Sequence, residues 1–209
     1  SGAMSKYPII VLEGIEASGK STNLKKIIKY LKTKKIKYET FREPGGTFFS
    51  EKLRSFMLNK KSKLSNKTDL FLLLASRSEN IDKIIKENYK KKVILIDRFI
   101  DSTLAYQHYG MGFDKDLIIK MNNFLLGNLK PNFTFLSVVN KKNMLERLKF
   151  RKNNNKYDSF NYNFYNKVQK GFIEIANANK SKYLILDSNK DDLKKIEYKL
   201  INKIEKILS

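Results

Sequence analysis

Ile9-Ile10-Val11-Leu12-Glu13-Gly14-Ile15-Glu16-Ala17-Ser18-Gly19-Lys20-Ser21-Thr22 decides the fold of this 209-residue chain. A short apolar run feeds Gly14 to Ser21, which fits G-x-x-x-x-G-K-[ST] without a mismatch and leads into a helix-like segment. A strand before and a helix after are the context that makes this pattern a phosphate loop. Gly14 and Gly19 let the backbone turn tightly, so that successive N–H groups and the positive end of the following helix face one anionic group. Lys20 adds a mobile charge for the terminal phosphates, and the Ser21 hydroxyl is placed to ligate Mg²⁺. Gly14, Ile15, Glu16, Ala17, Ser18, Gly19, Lys20, Ser21 and Thr22 are therefore expected to bind a nucleoside triphosphate.

Outward from the loop, Leu24, Ile27, Ile28 and Leu31 recur at helical spacing, and this first helix is predicted to end near Lys32 to Lys35. Ile36 to Arg42 alternates apolar and polar residues as a second strand. It closes in Arg42-Glu43-Pro44-Gly45-Gly46-Thr47, a turn with charges at the end of the sheet where open α/β proteins bind ligands. An ordinary turn with a surface ion pair reads the same way. Ser50 to Leu58 predicts a short helix carrying Arg54. Asn66 to Glu87 predicts a longer one, with Leu70, Leu73, Leu74, Ile81, Ile84 and Ile85 on its apolar face. Arg77, one turn beyond Leu73, has two readings: a side chain in a cleft beside that stripe, or a helix-surface charge.

Val93 to Ile96 is a continuous apolar run suited to a central parallel strand, with Asp97-Arg98 at its carboxyl end. In a phosphate-loop protein such an Asp is the natural second carboxylate near Mg²⁺, beside Ser21, and the Arg a natural grip on a phosphoryl group. Phe99 to Gly110 then offers side chains able to pair with a nucleoside. His108, the one histidine, has no second His or Cys nearby and reads as a packed or solvated imidazole.

Asp114 to Gly127 reads as a helix, Asn132 to Val139 as the fourth strand, and Lys141 to Phe150 as a basic helix holding Arg147, with Arg151 at its end. The polar, turn-prone Lys152 to Asp158 is a candidate lid, placed around 151–158. Ser159 to Ala178 is a helix with Phe160, Phe164, Val168, Phe172 and Ile175 on one side; Tyr183 to Leu186 makes a fifth strand and Leu193 to Leu208 an amphipathic closing helix. Strands and helices alternate throughout, which predicts an α/β fold, a parallel sheet covered on both faces, in one domain over residues 5–209. Ser1-Gly2-Ala3-Met4 reads as a tag remnant.

Composition bounds the function. No apolar run approaches the ~18 residues that span a bilayer, and the chain has no Cys, which excludes disulfides and thiolate metal sites and agrees with a cytoplasmic location. The net charge of +22 raises the question of a nucleic-acid binder. Lysines are scattered along the whole chain beside abundant Asn and Ile, however, which is the bias of an AT-rich coding sequence rather than a patch. The same bias makes arginine informative. Only Arg42, Arg54, Arg77, Arg98, Arg147 and Arg151 remain among 43 basic residues, and lysine replaces arginine except where a planar fork must grip an anion or a base edge.

The phosphate loop, Arg42 to Thr47, and Asp97 to Gln107, in this order and spacing, resemble the thymidylate kinase family, in its bacterial form, from about Tyr7 to the last helix. The resemblance implies a three-layer P-loop fold with a five-stranded parallel sheet flanked by helices, and transfer of the ATP γ-phosphoryl to dTMP with Mg²⁺. It implies a homodimer with no membrane and no dedicated nucleic-acid partner. Glu16 matches an acidic residue near the reacting groups. Glu43 and Pro44 match the wall of the dTMP site, with a cis bond between them; Arg54 and Arg98 match the arginines on the dTMP phosphate; Arg77 matches the one on the thymine edge; Thr103, Tyr106 and Gln107 match residues lining base and deoxyribose. The catalytic set implied is Lys20, Arg98, Glu16 and a lid cation, with metal ligands Ser21 and Asp97.

Departures from the family pattern carry their own expectations. Ala17 stands where one subtype has an arginine, so the cation for the transferring phosphoryl is expected from the lid. There Lys156 occupies a position often held by arginine, which leaves Arg151 as the nearest guanidinium. Leu73 replaces a phenylalanine that stacks on thymine, and His108 and Met111 replace a glycine and an arginine. Two other readings stay open on the residues: another P-loop deoxynucleotide or deoxynucleoside kinase, and a basic nucleotide-dependent nucleic-acid-binding protein.

Overall fold

The computed structural model of the chain describes residues 7–149 and 161–209. The tag remnant at 1–4 and the lid at 151–158, with Arg151 and Lys156, lie outside the described residues.

The elements alternate in the expected order: β1 (Ile9–Glu13), α1 (Lys20–Thr33), β2 (Tyr38–Arg42), α2 (Phe48–Leu58), α3 (Asn66–Asn80), α4 (Lys86–Asn88), β3 (Val93–Asp97), α5 (Ile100–Thr103), α6 (Lys115–Leu126), β4 (Phe133–Val138), α7 (Lys141–Lys149), α8 (Tyr162–Ala178), β5 (Tyr183–Asp187) and α9 (Leu193–Leu208). The strands form one five-stranded sheet in the order β2-β3-β1-β4-β5, with every pairing parallel. β1 is central and buried at each position, which is why its sequence is a continuous apolar run rather than an alternating one.

Successive side chains of a strand point to opposite faces, and this divides the core. Ile10 and Leu12 pack with Leu95 and Phe135 against Ile27 and Leu31 of α1 and Ile196, Leu200 and Ile204 of α9. Ile9, Val11, Ile94 and Ile96 face the other way, onto Ile81, Ile85, Phe99 and Leu126. On the same side of the fold Leu136 and Val138 meet Tyr165, Val168 and Phe172 of α8. Each such aliphatic side chain contributes ~1.5–3 kcal/mol by leaving water, so the helix–sheet–helix sandwich follows from the two stripes.

The local differences from the sequence reading are small and have causes. The helix containing Arg54 starts two residues early, at Phe48, because the Thr47 hydroxyl accepts from the Ser50 N–H and caps it. The helix predicted over 66–87 is interrupted by a π-helical turn, Ile81–Ile85, between α3 and α4. A second π-helical segment, Leu104–Gly110, extends α5. Periodicity does not distinguish such turns from an α-helix. The connection from β1 runs to β2 on one side of the sheet and that from β3 to β4 on the other, so the crevice lies at the carboxyl ends of β1 and β3.

Candidate active site

The loop after β1 has the conformation its glycines permit. At Gly14 (φ +147°) an added Cβ would sit 2.6 Å from Ser18 Oγ and 2.7 Å from the Ser137 carbonyl, so no side chain fits. Gly19 (φ +91°) faces open space; its requirement is conformational, and a bulky anion can approach the backbone there. The Asn23 amide donates to Ser137 Oγ (3.0 Å) and ties the start of α1 to β4. Lys20 reaches across from α1 to donate to the Asp97 carboxylate.

Arg98 follows Asp97 in the left-handed region (φ +69°), a conformation costing ~1–2 kcal/mol in a residue with a Cβ. The kink turns the chain off β3 and brings the guanidinium over the phosphate loop, where Nη2 donates to Glu16 Oε1 (2.9 Å) and Nη1 to the Tyr106 hydroxyl (3.2 Å). Burial depresses the Lys20 ammonium, with Arg98 adding to the effect and Asp97 opposing it. Burial also works downward on Arg98, but Tyr106, Glu16, Asp97 and Glu13 outweigh it and leave its pKa raised. The Tyr106 phenol is pushed up to about 12, chiefly by burial.

A cleft of about 270 Å³ opens beside this pair. Glu43, Pro44, Arg54, Leu73, Arg77 and Arg98 line it together with Thr103, Tyr106 and Gln107, so every residue assigned to the dTMP site by resemblance stands around one cavity. The Glu43–Pro44 bond is cis, as expected. Of the two readings of Arg77, the structure excludes the surface charge: the residue is 1% exposed. Its Nε donates to Glu43 Oε1 (2.9 Å), Nη1 to Asn122 Oδ1 (2.8 Å) and Nη2 to the Phe99 carbonyl (3.2 Å). Glu43 is accordingly not only a wall of the cleft. It is the buried partner of Arg77, raised by burial and held down by Arg77 and Asn80. Arg54 donates through Nη1 to the Pro44 carbonyl (2.6 Å). Thr103 Oγ1 and Gln107 Oε1, both buried on the cleft, have no hydrogen-bond partner among the described residues; a buried polar atom left so is costly unless a ligand completes it.

A second cleft, lined by Ile15 to Asn23, runs over the outside of the phosphate loop to Leu186, Ser188, Leu193 and Ile196. The sequence reading did not place Leu186, Ser188, Leu193 or Ile196 in the site, and it singled out Arg147 only as one of six arginines, without a partner. From α7, Arg147 donates to the Ala17 carbonyl (2.6 Å), so a guanidinium does meet this loop. Its signal was the scarcity of arginine; its target 130 residues away was not legible. Leu58, Ser102 and Tyr165 also line the first cleft without having been singled out; Arg42, one of the six arginines, lines it too and is paired with Glu51 at 2.7 Å. His108 is turned to the Phe113 carbonyl (2.7 Å) and is no part of either cleft. Among the described residues no group of three His, Cys, Asp or Glu side chains could cage a metal, and no helix is long and apolar enough to cross a membrane.

The family model of thymidylate kinase matches residues 12–199. A thymidylate kinase of Wolbachia pipientis wMel is 41% identical over 172 residues, 80% of this chain and 84% of its own. One from Wolbachia sp. subsp. Brugia malayi (strain TRS) is 37% identical over 201 residues, 93% and 94% of the two chains. The crystal structure of thymidylate kinase from Ehrlichia chaffeensis superposes with a TM-score of 0.76 at 30% identity, covering 95% of this chain and 98% of that one.

Proposed function

The chain belongs to the thymidylate kinase family, whose activity is the phosphorylation of dTMP, and from that premise we propose that dTMP occupies the first cleft and ATP the second. One observation carries this reading: the two clefts share Glu16, Lys20, Ser21 and Arg98. A donor and an acceptor lying in them have their phosphates at one place. The nucleic-acid-binding and deoxynucleoside-kinase readings receive no support from the comparisons.

Arg54 and Arg98 hold the acceptor phosphate, and Arg77, Thr103 and Gln107 meet the base and sugar. Because that phosphate is largely dianionic near neutral pH, no strong base is needed. Catalysis is positioning plus charge stabilisation. Lys20 exchanges Asp97 for phosphate oxygens, and Arg98 exchanges Glu16. Arg147, holding the Ala17 carbonyl, steadies the loop in which Ala17 replaces a guanidinium, while Arg151, with Lys156 second, remains our choice for the cation on the transferring group. Apolar Leu186, Leu193 and Ile196 suit the adenine.

The donor set also fits Mg²⁺, an ion that takes one or two protein oxygens and completes its shell with phosphate and water. Ser21 Oγ and Asp97 would hold it, and it would supply neutralisation of the phosphate charge. The homodimer of the family is proposed here through α3 and α6, which pack side by side and leave Phe71, Leu117 and Phe124 59%, 52% and 85% exposed; large apolar side chains gathered into an exposed patch suit an interface. The cytoplasm is the compartment we propose. Assay of ADP release with dTMP, dUMP, dCMP and thymidine, with and without DNA, tests the function: turnover with dTMP is expected to exceed all others and to ignore DNA.

A further inference from the structure

Glu13 ends β1 and is 1% exposed, yet the chemistry above does not use it. A carboxyl group at the end of an otherwise apolar central strand is costly unless it is fully hydrogen-bonded. Its partners all lie in one turn of another element. Oε2 accepts from the Phe99 N–H (3.2 Å) and the Ser102 N–H (2.9 Å), and Oε1 pairs with Ser102 Oγ. This is the turn that opens α5 directly after the left-handed Arg98, and Phe99, at its N-cap position, provides no side-chain cap. The first N–H groups of a helix have no i−4 acceptor; here β1 supplies one to Phe99 from 86 residues away and shares the Ser102 N–H with the Phe99 carbonyl (3.1 Å). Across the same turn Tyr183 of β5 donates to Asp101. Glu13 is also the residue before Gly14, so one side chain joins the root of the phosphate loop to the helix bearing Thr103, Tyr106 and Gln107.

We propose that Glu13 is a positioning residue for the acceptor: its three hydrogen bonds set where the helix begun by α5 stands relative to the phosphate loop, and with it the placement of Arg98, Thr103 and Gln107 on dTMP. The inference rests on dTMP occupying the first cleft. What matters in it is the hydrogen-bond pattern rather than negative charge. A glutamine reproduces that pattern, its carbonyl accepting both backbone N–H groups and its amide donating to Ser102 Oγ.

The test compares Glu13→Gln with Glu13→Met, which keeps the volume and removes the acceptors. Steady-state KM is measured separately for dTMP and ATP. Glu13→Met is expected to raise KM for dTMP by roughly tenfold or more, as for loss of one to two hydrogen bonds, while KM for ATP moves far less; Glu13→Gln restores the wild-type value near pH 7. A Glu13→Met enzyme with an unchanged KM for dTMP, or with both KM values raised alike, overturns the inference, as does a Gln variant as impaired as the Met one. Should Glu13→Met not fold, Ser102→Ala decides: a raised KM for dTMP supports the proposal and an unchanged one overturns it. An Arg54→Ala enzyme, with Glu13 intact, that turns over dTMP like the wild type would instead count against the cleft assignment, independently of Glu13.

Discussion

Arg77 and Glu43 lie together with 1% and 4% of their side chains exposed, the Nε and Nη2 groups of the arginine 2.9 and 2.8 Å from the same carboxylate oxygen. The fork that resemblance assigns to the thymine edge is thus already bound on two sides by the protein, and its direction into the cleft is set before any substrate arrives. Breaking one partner of such a pair leaves an uncompensated charge in the interior. The ion pair is therefore a device for orientation more than for stability.

Arg77→Lys retains the charge but cannot bridge Glu43, Asn122 and the Phe99 carbonyl at once. KM for dTMP is expected to rise by roughly tenfold, as for loss of a charge-assisted hydrogen bond of ~1–3 kcal/mol, with a lower melting temperature. Steady-state kinetics and a thermal melt check this; unchanged dTMP kinetics would mean that the arginine never reaches the base.

Arg54 and Arg98 as phosphate clamps imply that thymidine, which has no phosphate, is a very poor acceptor. Arg54→Ala should weaken dTMP by roughly 2 kcal/mol, in the range of a hydrogen bond to a charged group, and should leave the little thymidine turnover untouched. Equal turnover of thymidine and dTMP by the wild type sinks the assignment.

Leu73 and Leu58, both half-buried, present an aliphatic wall to the first cleft. Leu73→Phe is expected to tighten dTMP by roughly 1 kcal/mol through stacking. Calorimetric titration measures it, and weaker binding would show that neighbouring residues have grown into the space.

The two lid-side arginines should separate kinetically. Arg147→Ala is expected to raise KM for ATP, because the Ala17 carbonyl loses its donor. Arg151→Ala is expected to lower kcat and kcat/KM together, by up to ~10³-fold for a finger-like arginine. Normal turnover in Arg151→Ala with collapse in Lys156→Ala would transfer the role to Lys156.

Stability should fall with rising pH on account of Glu13. Burial, and then the neighbouring Asp101, push its carboxyl up to about 8, against the pull of Ser102, Arg98 and the Phe99 N–H. A carboxyl raised on folding binds its proton more tightly in the native state. Its contribution is therefore complete below the unfolded value of 4.5 and is lost as pH rises through about 8. Asp101, raised by burial to about 6, acts in the same sense. Denaturant titrations across this window should show the wild type losing stability relative to Glu13→Gln; a constant difference between the two refutes the assignment.

The sequence by itself determined whatever is local or periodic. Ile9 to Thr22 announced a strand, a phosphate loop and a helix because a G-x-x-x-x-G-K-S spacing leaves the backbone few other conformations; the apolar runs announced buried parallel strands, and the scarcity of arginine pointed to Arg54, Arg77, Arg98 and Arg147. Even the turn at Arg42 to Thr47 and the segment from Asp97 to Gln107 were recognisable as parts of one site. Only the tertiary structure decided partners. Nothing near Arg77 in the chain says that Glu43, 34 residues earlier, neutralises it. Nor does anything near Ala17 reveal Arg147, and Glu13 reads as one more strand residue until Phe99 and Ser102 are brought against it. The reason is physical: backbone conformation is dictated mainly by neighbours in sequence, whereas burial, hydrogen-bond satisfaction and the pKa of a buried carboxyl are set by groups that meet only when the sheet has assembled.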